Sequence, residues 1–160
     1  MCDFNKLALD SNLINDCSPS TDGFDLDWEG ILINMPTIVE DVDVGHDGVL
    51  SFKTRIPLCI TIQFKLKKML RYDYPREGIS VFMEDRETGK TYTNKLVYQG
   101  GRAKNPKSSF SEEELETSIL TKFYSVNLTH YMNLPNTKST YNVYATFEKN
   151  KSNTLELRIR

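Results

Sequence analysis

The sequence predicts an all-β domain, and three observations carry that prediction. First, residues 140–160 (TYNVYATFEKNKSNTLELRIR) hold two runs of strict alternation separated by a polar turn at 149–153. Tyr141, Val143, Ala145 and Phe147 share one face of the first run, and Leu155, Leu157 and Ile159 share one face of the second. Successive strand side chains point to opposite faces, so each run reads as a half-buried strand and the pair as a closing hairpin. Second, Leu58, Ile60, Ile62, Phe64 and Leu66 alternate with Cys59, Thr61, Gln63, Lys65 and Lys67. Such sustained alternation fits a period of two and not a helix, and Pro57 marks the start. Third, Ile79, Val81 and Met83 form another core row, followed by Asp85-Arg86-Glu87-Thr88-Gly89-Lys90. These are the residues of a tight hairpin, with Gly89 free to take positive φ and a return strand at 91–98.

The totals bound the architecture. A chain of 160 residues is most simply one domain, and at that size it buries about two-thirds of its unfolded surface without needing staples. A net charge of −2 gives no global field, which argues against non-specific nucleic-acid or membrane binding. Cys2, Cys17 and Cys59 are odd in number and too few for a disulfide framework. With no apolar run of signal-peptide or membrane-spanning length, the expectation is a soluble, cytoplasmic protein, or an extracellular or periplasmic one had an export signal been removed. The sequon Asn127-Leu128-Thr129 carries meaning only in a secreted chain.

In chain order, residues 1–23 are polar and punctuated by Ser18-Pro19-Ser20 and Asp22-Gly23, which reads as an N-terminal arm or tail beside a single domain at 24–160. Residues 4–13 hold a weaker helical pattern. Ile31, Ile33 and Met35 alternate with Leu32 and Asn34 up to Pro36, a first strand with apolar residues on both parities and so covered on both faces. The acidic stretch 40–48 leads into a short strand at 49–53, and 71–78 turns around Tyr74-Pro75. Residues 100–109 are a basic loop. Ser111 followed by Glu114 resembles a capping box, and Leu115, Ile119 and Phe123 recur at helical spacing, while 123–128 sits where a sandwich needs a strand; the expectation is a helical turn at 112–116 and then a strand to about 128. The total is seven to nine strands.

Leu134-Pro135, then Tyr141-Asn142-Val143-Tyr144-Ala145, then Ser152-Asn153 opening a last strand, resembles the final two strands of an immunoglobulin-like or fibronectin type III-like β-sandwich over roughly residues 75–160. The resemblance implies an antiparallel sandwich and places Tyr141 as a tyrosine corner, its hydroxyl bonded back to the preceding loop. The chain departs from antibody-type domains: no cysteine pair joins opposed strands, and Trp28 reads as part of the first strand instead of the third.

Motifs that would carry chemistry are weak. Asp43-Val44-Gly45-His46-Asp47-Gly48 offers Asp at relative positions 1 and 5 and Gly at 6 of a calcium loop. Gly45 occupies position 3, however, and the bidentate glutamate position falls on Thr54, so the stretch reads as a solvated loop. His46 and His130 are the only histidines, too few for a zinc site. Cys59 has no catalytic partner near it in sequence. No nucleophile elbow, phosphate-binding glycine loop or H-E-x-x-H motif is present, so no catalytic residue, cofactor or metal is expected. Lys65, Lys67, Lys68, Arg71 and Arg76 interleave with Tyr72 and Tyr74, a mixture that suits nucleic acid. Lysines that protect a strand end explain the same residues, and no nucleic-acid partner is favoured.

The expected function is therefore a non-catalytic interaction module that binds another protein as an adaptor, inhibitor or immunity-type partner. Its docking row would be Thr61, Gln63, Lys65 and Lys67, extended by Arg71 and Tyr72. The alternative is a carbohydrate-binding sandwich using Tyr92, Tyr98, Tyr124 and Tyr144, with or without a structural calcium.

Overall fold

The computed structural model describes residues 1–40, 42–97 and 110–160. Two sheets face one another. The first joins β1 (Gly30–Asn34), β3 (Pro57–Lys65) and β6 (Ile119–Asn127) in the order β1-β3-β6, all antiparallel. The second is built from β2 (Ile38–Val39), β4 (Ile79–Asp85), β5 (Thr91–Lys95), β7 (Ser139–Phe147), β8 (Asn150–Lys151) and β9 (Leu155–Ile159). Its order is β2-β9-β7-β4-β5, with β8 paired to β7 and β2 parallel to β9.

One core fills the space between the sheets. Ile31, Ile33, Leu58, Ile60, Ile62, Phe64 and Val126 come from the first sheet; Val81, Met83, Val143, Ala145, Phe147, Leu157 and Ile159 come from the second. The rings of Phe64 and Phe147 meet across it at 4.7 Å. β7 shows why parity is informative: odd positions are buried and even ones half-exposed from Ser139 to Phe147. The hairpin between β4 and β5 forms as its residues predict, with Gly89 at φ +73°. The capping box also forms: the Ser111 hydroxyl accepts from the Glu114 N–H, opening a helix at Glu112–Thr117. Asn153 closes one edge of the sandwich. Its side-chain amide donates to the Ile33 carbonyl and its oxygen accepts from the Ile33 N–H, pinning β1 to the turn before β9.

Several expectations are corrected. The alternating run that begins at Leu58 ends as a strand at Lys65, and Leu66–Met69 turn into a short helix, α1. The strand expected at 49–53 is irregular chain, tied by isolated bridges from Val44 to Leu50 and from Val49 to Pro135. After the helical turn, β6 runs from Ile119 to Asn127, so Ile119 and Phe123, which recur at helical spacing, belong to the strand. The return strand ends at Lys95, and residues 98–109, with the basic loop and Tyr98, lie outside the described residues, as does Asp41 of the acidic stretch. The cysteines are not all free: Cys2 and Cys17 form a disulfide within the arm, leaving Cys59 as a buried thiol. Finally, the Tyr141 hydroxyl is buried without a hydrogen-bond partner among the described residues, so it does not act as a tyrosine corner.

Candidate interaction face

The outer face of the first sheet is closed. The predicted docking row assumed that the odd positions of β3 face water, yet Cys59, Thr61 and Gln63 are all buried. The N-terminal arm lies over them. The Thr61 hydroxyl donates to the Pro19 carbonyl at 2.7 Å, and the Gln63 amide donates to the Trp28 carbonyl at 2.9 Å while its oxygen accepts from the Thr121 hydroxyl. Asn34 donates to the Cys17 carbonyl, Asn15 donates to the Ser125 hydroxyl, and Ser11 bridges Ser125 through two backbone hydrogen bonds. Short polar side chains on the outer parity are thus the seat of the arm. Burial raises the pKa of the Cys59 thiol, an effect partly offset by the Ser125 hydroxyl, so it stays a protonated, covered group.

The remaining predicted residues are not in line with that row. Lys65 ends the strand, Lys67 sits on α1, and Arg71 and Tyr72 follow in the turn beyond. Carboxylates answer these cations: Lys67 pairs with Glu116 at 2.7 Å, Lys68 with Glu29 at 3.7 Å and Arg71 with Glu148 at 3.7 Å. Tyr72 packs at a tilt against Phe147, ring centroids 5.3 Å apart, and contributes to the core's end. The group is a charge-balanced corner and not a continuous docking row.

The outer face of the second sheet carries no covering element among the described residues. At its centre Phe82 on β4 and Tyr144 on β7 are directly paired, with ring centroids 4.9 Å apart and planes 10° from parallel. β7 lies between β4 and β8, and from the β8 side the Lys151 ammonium sits 4.1 Å from the Tyr144 ring centroid. Lysine, tyrosine and phenylalanine therefore form one stack across three strands, stabilised by cation–π and aromatic attraction. Ser80, Thr93, Asn142 and Thr146 surround it by register. Arg86, Lys95, Lys151 and Arg158 lie on or beside this face with Glu84 and Glu156 as its carboxylates; Glu156 is bonded by both Arg86 and Arg158. A cationic excess on one face of a chain whose net charge is −2 sets it apart. Sequence reasoning picked out Tyr144 but missed Phe82 and Lys151. The available signal was an aromatic residue on the solvent parity of each strand.

Tyr92, Tyr124 and Tyr144, the described tyrosines proposed for sugar binding, do not share a surface. Tyr92 turns inward, edge-on to Tyr141, and Tyr124 is buried, its pKa pushed up to about 12 by burial with Arg76 partly offsetting the rise. Only Tyr144 of those described stands on an open face. The two histidines share a groove. His46 and His130 line one groove of about 1030 Å³ with Asp43, Asp47 and Lys53, and the His130 ring bonds the Asp10 carboxylate at 3.2 Å. Among the described residues no cluster of three or more His, Cys, Asp or Glu side chains converges as metal ligands would. Nor is any helix among them long and apolar enough to cross a membrane.

No family model, no curated protein and no solved structure matches the chain.

Proposed function

We infer that the chain is a non-catalytic interaction module whose partner is a protein with an acidic surface, docked on the outer face of the second sheet. The observation that carries this reading is the Lys151–Tyr144–Phe82 stack at the centre of a cationic sheet face that no described residue covers. Protein contacts concentrate their energy in a few aromatic and cationic anchors ringed by polar groups, and this face has that composition. The sandwich is read as immunoglobulin-like. The order β1-β3-β6 corresponds to strands A-B-E of that fold, and β9-β7-β4-β5 to G-F-C with an added C′ strand. Such folds serve many functions, so the face and not the fold supports the binding role.

The carbohydrate reading is disfavoured by the same stack. A sugar ring needs a free aromatic face, and the Tyr144 ring is flanked by Phe82 on one side and Lys151 on the other. The Cys2–Cys17 disulfide favours an oxidising compartment over the cytoplasm expected from composition.

Affinity capture with the full chain, followed by mass spectrometry, tests the proposal when wild type is run beside Tyr144→Ala/Lys151→Glu, with a glycan array in parallel. Proteins retained by wild type and lost from the double variant, with no glycan bound, support it. Equal retention by both, or a glycan signal that depends on Tyr144, overturns it.

A further inference from the structure

Cys59 sits in the covered face of the first sheet, among polar residues that are bonded to the arm. By register Asn34 of β1 and Ser125 of β6 flank it, and Thr61 follows two residues along the same strand. Asn34 holds the Cys17 carbonyl and Thr61 that of Pro19. Ser125 accepts from the Asn15 amide and exchanges two backbone hydrogen bonds with Ser11. The thiol lies 3.6 Å from the Ser125 hydroxyl and is fully buried.

Hydrogen bonds fasten this cover. The arm contributes no residue to the hydrophobic core, nor to the half-buried side chains packed against it. Its further contacts are polar too: Arg55 donates to the Phe4 and Leu7 carbonyls, and the Asp10 carboxylate meets His130 and Tyr131. A segment held in this way opens more readily than the sandwich, because water replaces its hydrogen bonds and little apolar surface is lost.

The Cys2–Cys17 disulfide restrains that opening. Its ends are 15 residues apart, and the loop it closes contains Phe4, Leu7, Asp10, Ser11 and Asn15, so their contacts form and break as one unit. Cys17 is buried, but Cys2 is half-buried and lines a groove of about 500 Å³ with Pro36, Lys53 and Arg55. That groove admits a small reductant to the Cys2 sulfur.

We propose that this disulfide is a redox latch: reduction by a dithiol frees the arm and uncovers Cys59, Thr61 and Ser125. A thiolate of the dithiol attacks the Cys2 sulfur, the S–S bond breaks, and the electron pair leaves on the Cys17 sulfur, which takes up a proton. The second thiol of the reductant attacks the mixed disulfide and releases Cys2 as a thiol. The reductant departs as a cyclic disulfide, having given the protein two electrons and two protons. Without the cross-link the released arm regains its chain freedom, and for a loop of this length that favours the open form by roughly a hundredfold. The face is closed in an oxidising medium and open in a reducing one.

Labelling of the full chain with N-ethylmaleimide, read at Cys59 by mass spectrometry, tests the latch in three samples. These are oxidised wild type, wild type reduced with dithiothreitol and then freed of it, and Cys2→Ser/Cys17→Ser. Cys59 should react roughly a hundredfold faster in the second and third than in the first. Amide exchange follows the same event, because the Ser11 and Ser125 N–H groups each bond the other's carbonyl. Both should quicken on reduction while β7 stays protected. The reduced wild type gives the same readings where the double variant does not fold. Cys59 reacting at the oxidised rate in reduced wild type overturns the proposal. Exchange along β7 that quickens together with Ser125 also overturns it, since the disulfide would then hold the sandwich and not the arm.

Discussion

Replacing Tyr141 by Phe should make the protein more stable, although the residue is among its largest fully buried side chains. The ring packs in the core and meets Tyr92 edge-on at 6.3 Å, and phenylalanine keeps both contacts. The hydroxyl alone changes, and it is buried with no partner among the described residues. Burial, with the nearby Asp85 carboxylate adding to it, pushes its pKa up to about 12. A buried polar group left unpaired costs about 1–3 kcal/mol, so its removal should return about 1–2 kcal/mol after allowing for relaxation. For a chain of this size each kcal/mol moves the melting temperature by roughly 2–4 °C. Chemical denaturation of both proteins, with the slope unchanged, measures the difference directly. A lower midpoint for Tyr141→Phe would mean that the hydroxyl is satisfied, as a tyrosine corner requires, and would refute the account of this site. The pH dependence gives a second check. An acid with a raised folded pKa loses stability as pH climbs from its unfolded value near 10 towards 12. Tyr141→Phe should therefore flatten part of the alkaline decline.

Other outcomes follow from single contacts. Burial pushes the Asp85 carboxyl up, but the Ser139 hydroxyl and the Glu87 and Thr88 N–H groups more than offset this and hold it below its usual value. A depressed carboxyl contributes stability above its unfolded pKa and loses it as pH falls through the folded one. Asp85→Asn should accordingly destabilise at neutral pH and weaken the acid dependence below about pH 4, read from melting temperatures across a pH series. Asn153→Ala removes both bonds to Ile33 and should cost about 1 kcal/mol, with faster amide exchange along β1. Exchange at wild-type rates there would show that the edge is held by something else. Lys65→Glu/Lys67→Glu should shift stability by no more than about 1 kcal/mol, since Lys67 and its partner Glu116 are both well exposed.

The parts of the fold legible in the sequence are those decided by neighbours along the chain. Parity alone placed Val143, Ala145 and Phe147 inside, and the residues 85–90 announced their own hairpin. The capping box at Ser111 and Glu114 is likewise local. What failed depended on distant chain. Thr61 and Gln63 have the polarity of a solvent face, and only chain from more than thirty residues away, the arm at Pro19 and the segment entering β1 at Trp28, turns them into buried donors. The Cys2–Cys17 disulfide belongs to that same packing, as an odd count of cysteines does not disclose which two approach. The hydroxyl of Tyr141 is decided by the shape of the preceding loop, which a motif spacing does not encode. At the candidate site, Tyr144 stood out as an exposed aromatic, but its pairing with Phe82 and Lys151 is a matter of strand register.

Side-chain footprinting of the full chain, with and without a protein recovered by affinity capture, tests the central claim most directly. Docking on the second sheet predicts that Tyr144 and Phe82 lose reactivity in the complex while Tyr72, at the corner beyond α1, keeps it. Protection of Tyr72 with Tyr144 and Phe82 unchanged would contradict the account and return the docking site to the charged corner at Lys65, Lys67 and Arg71.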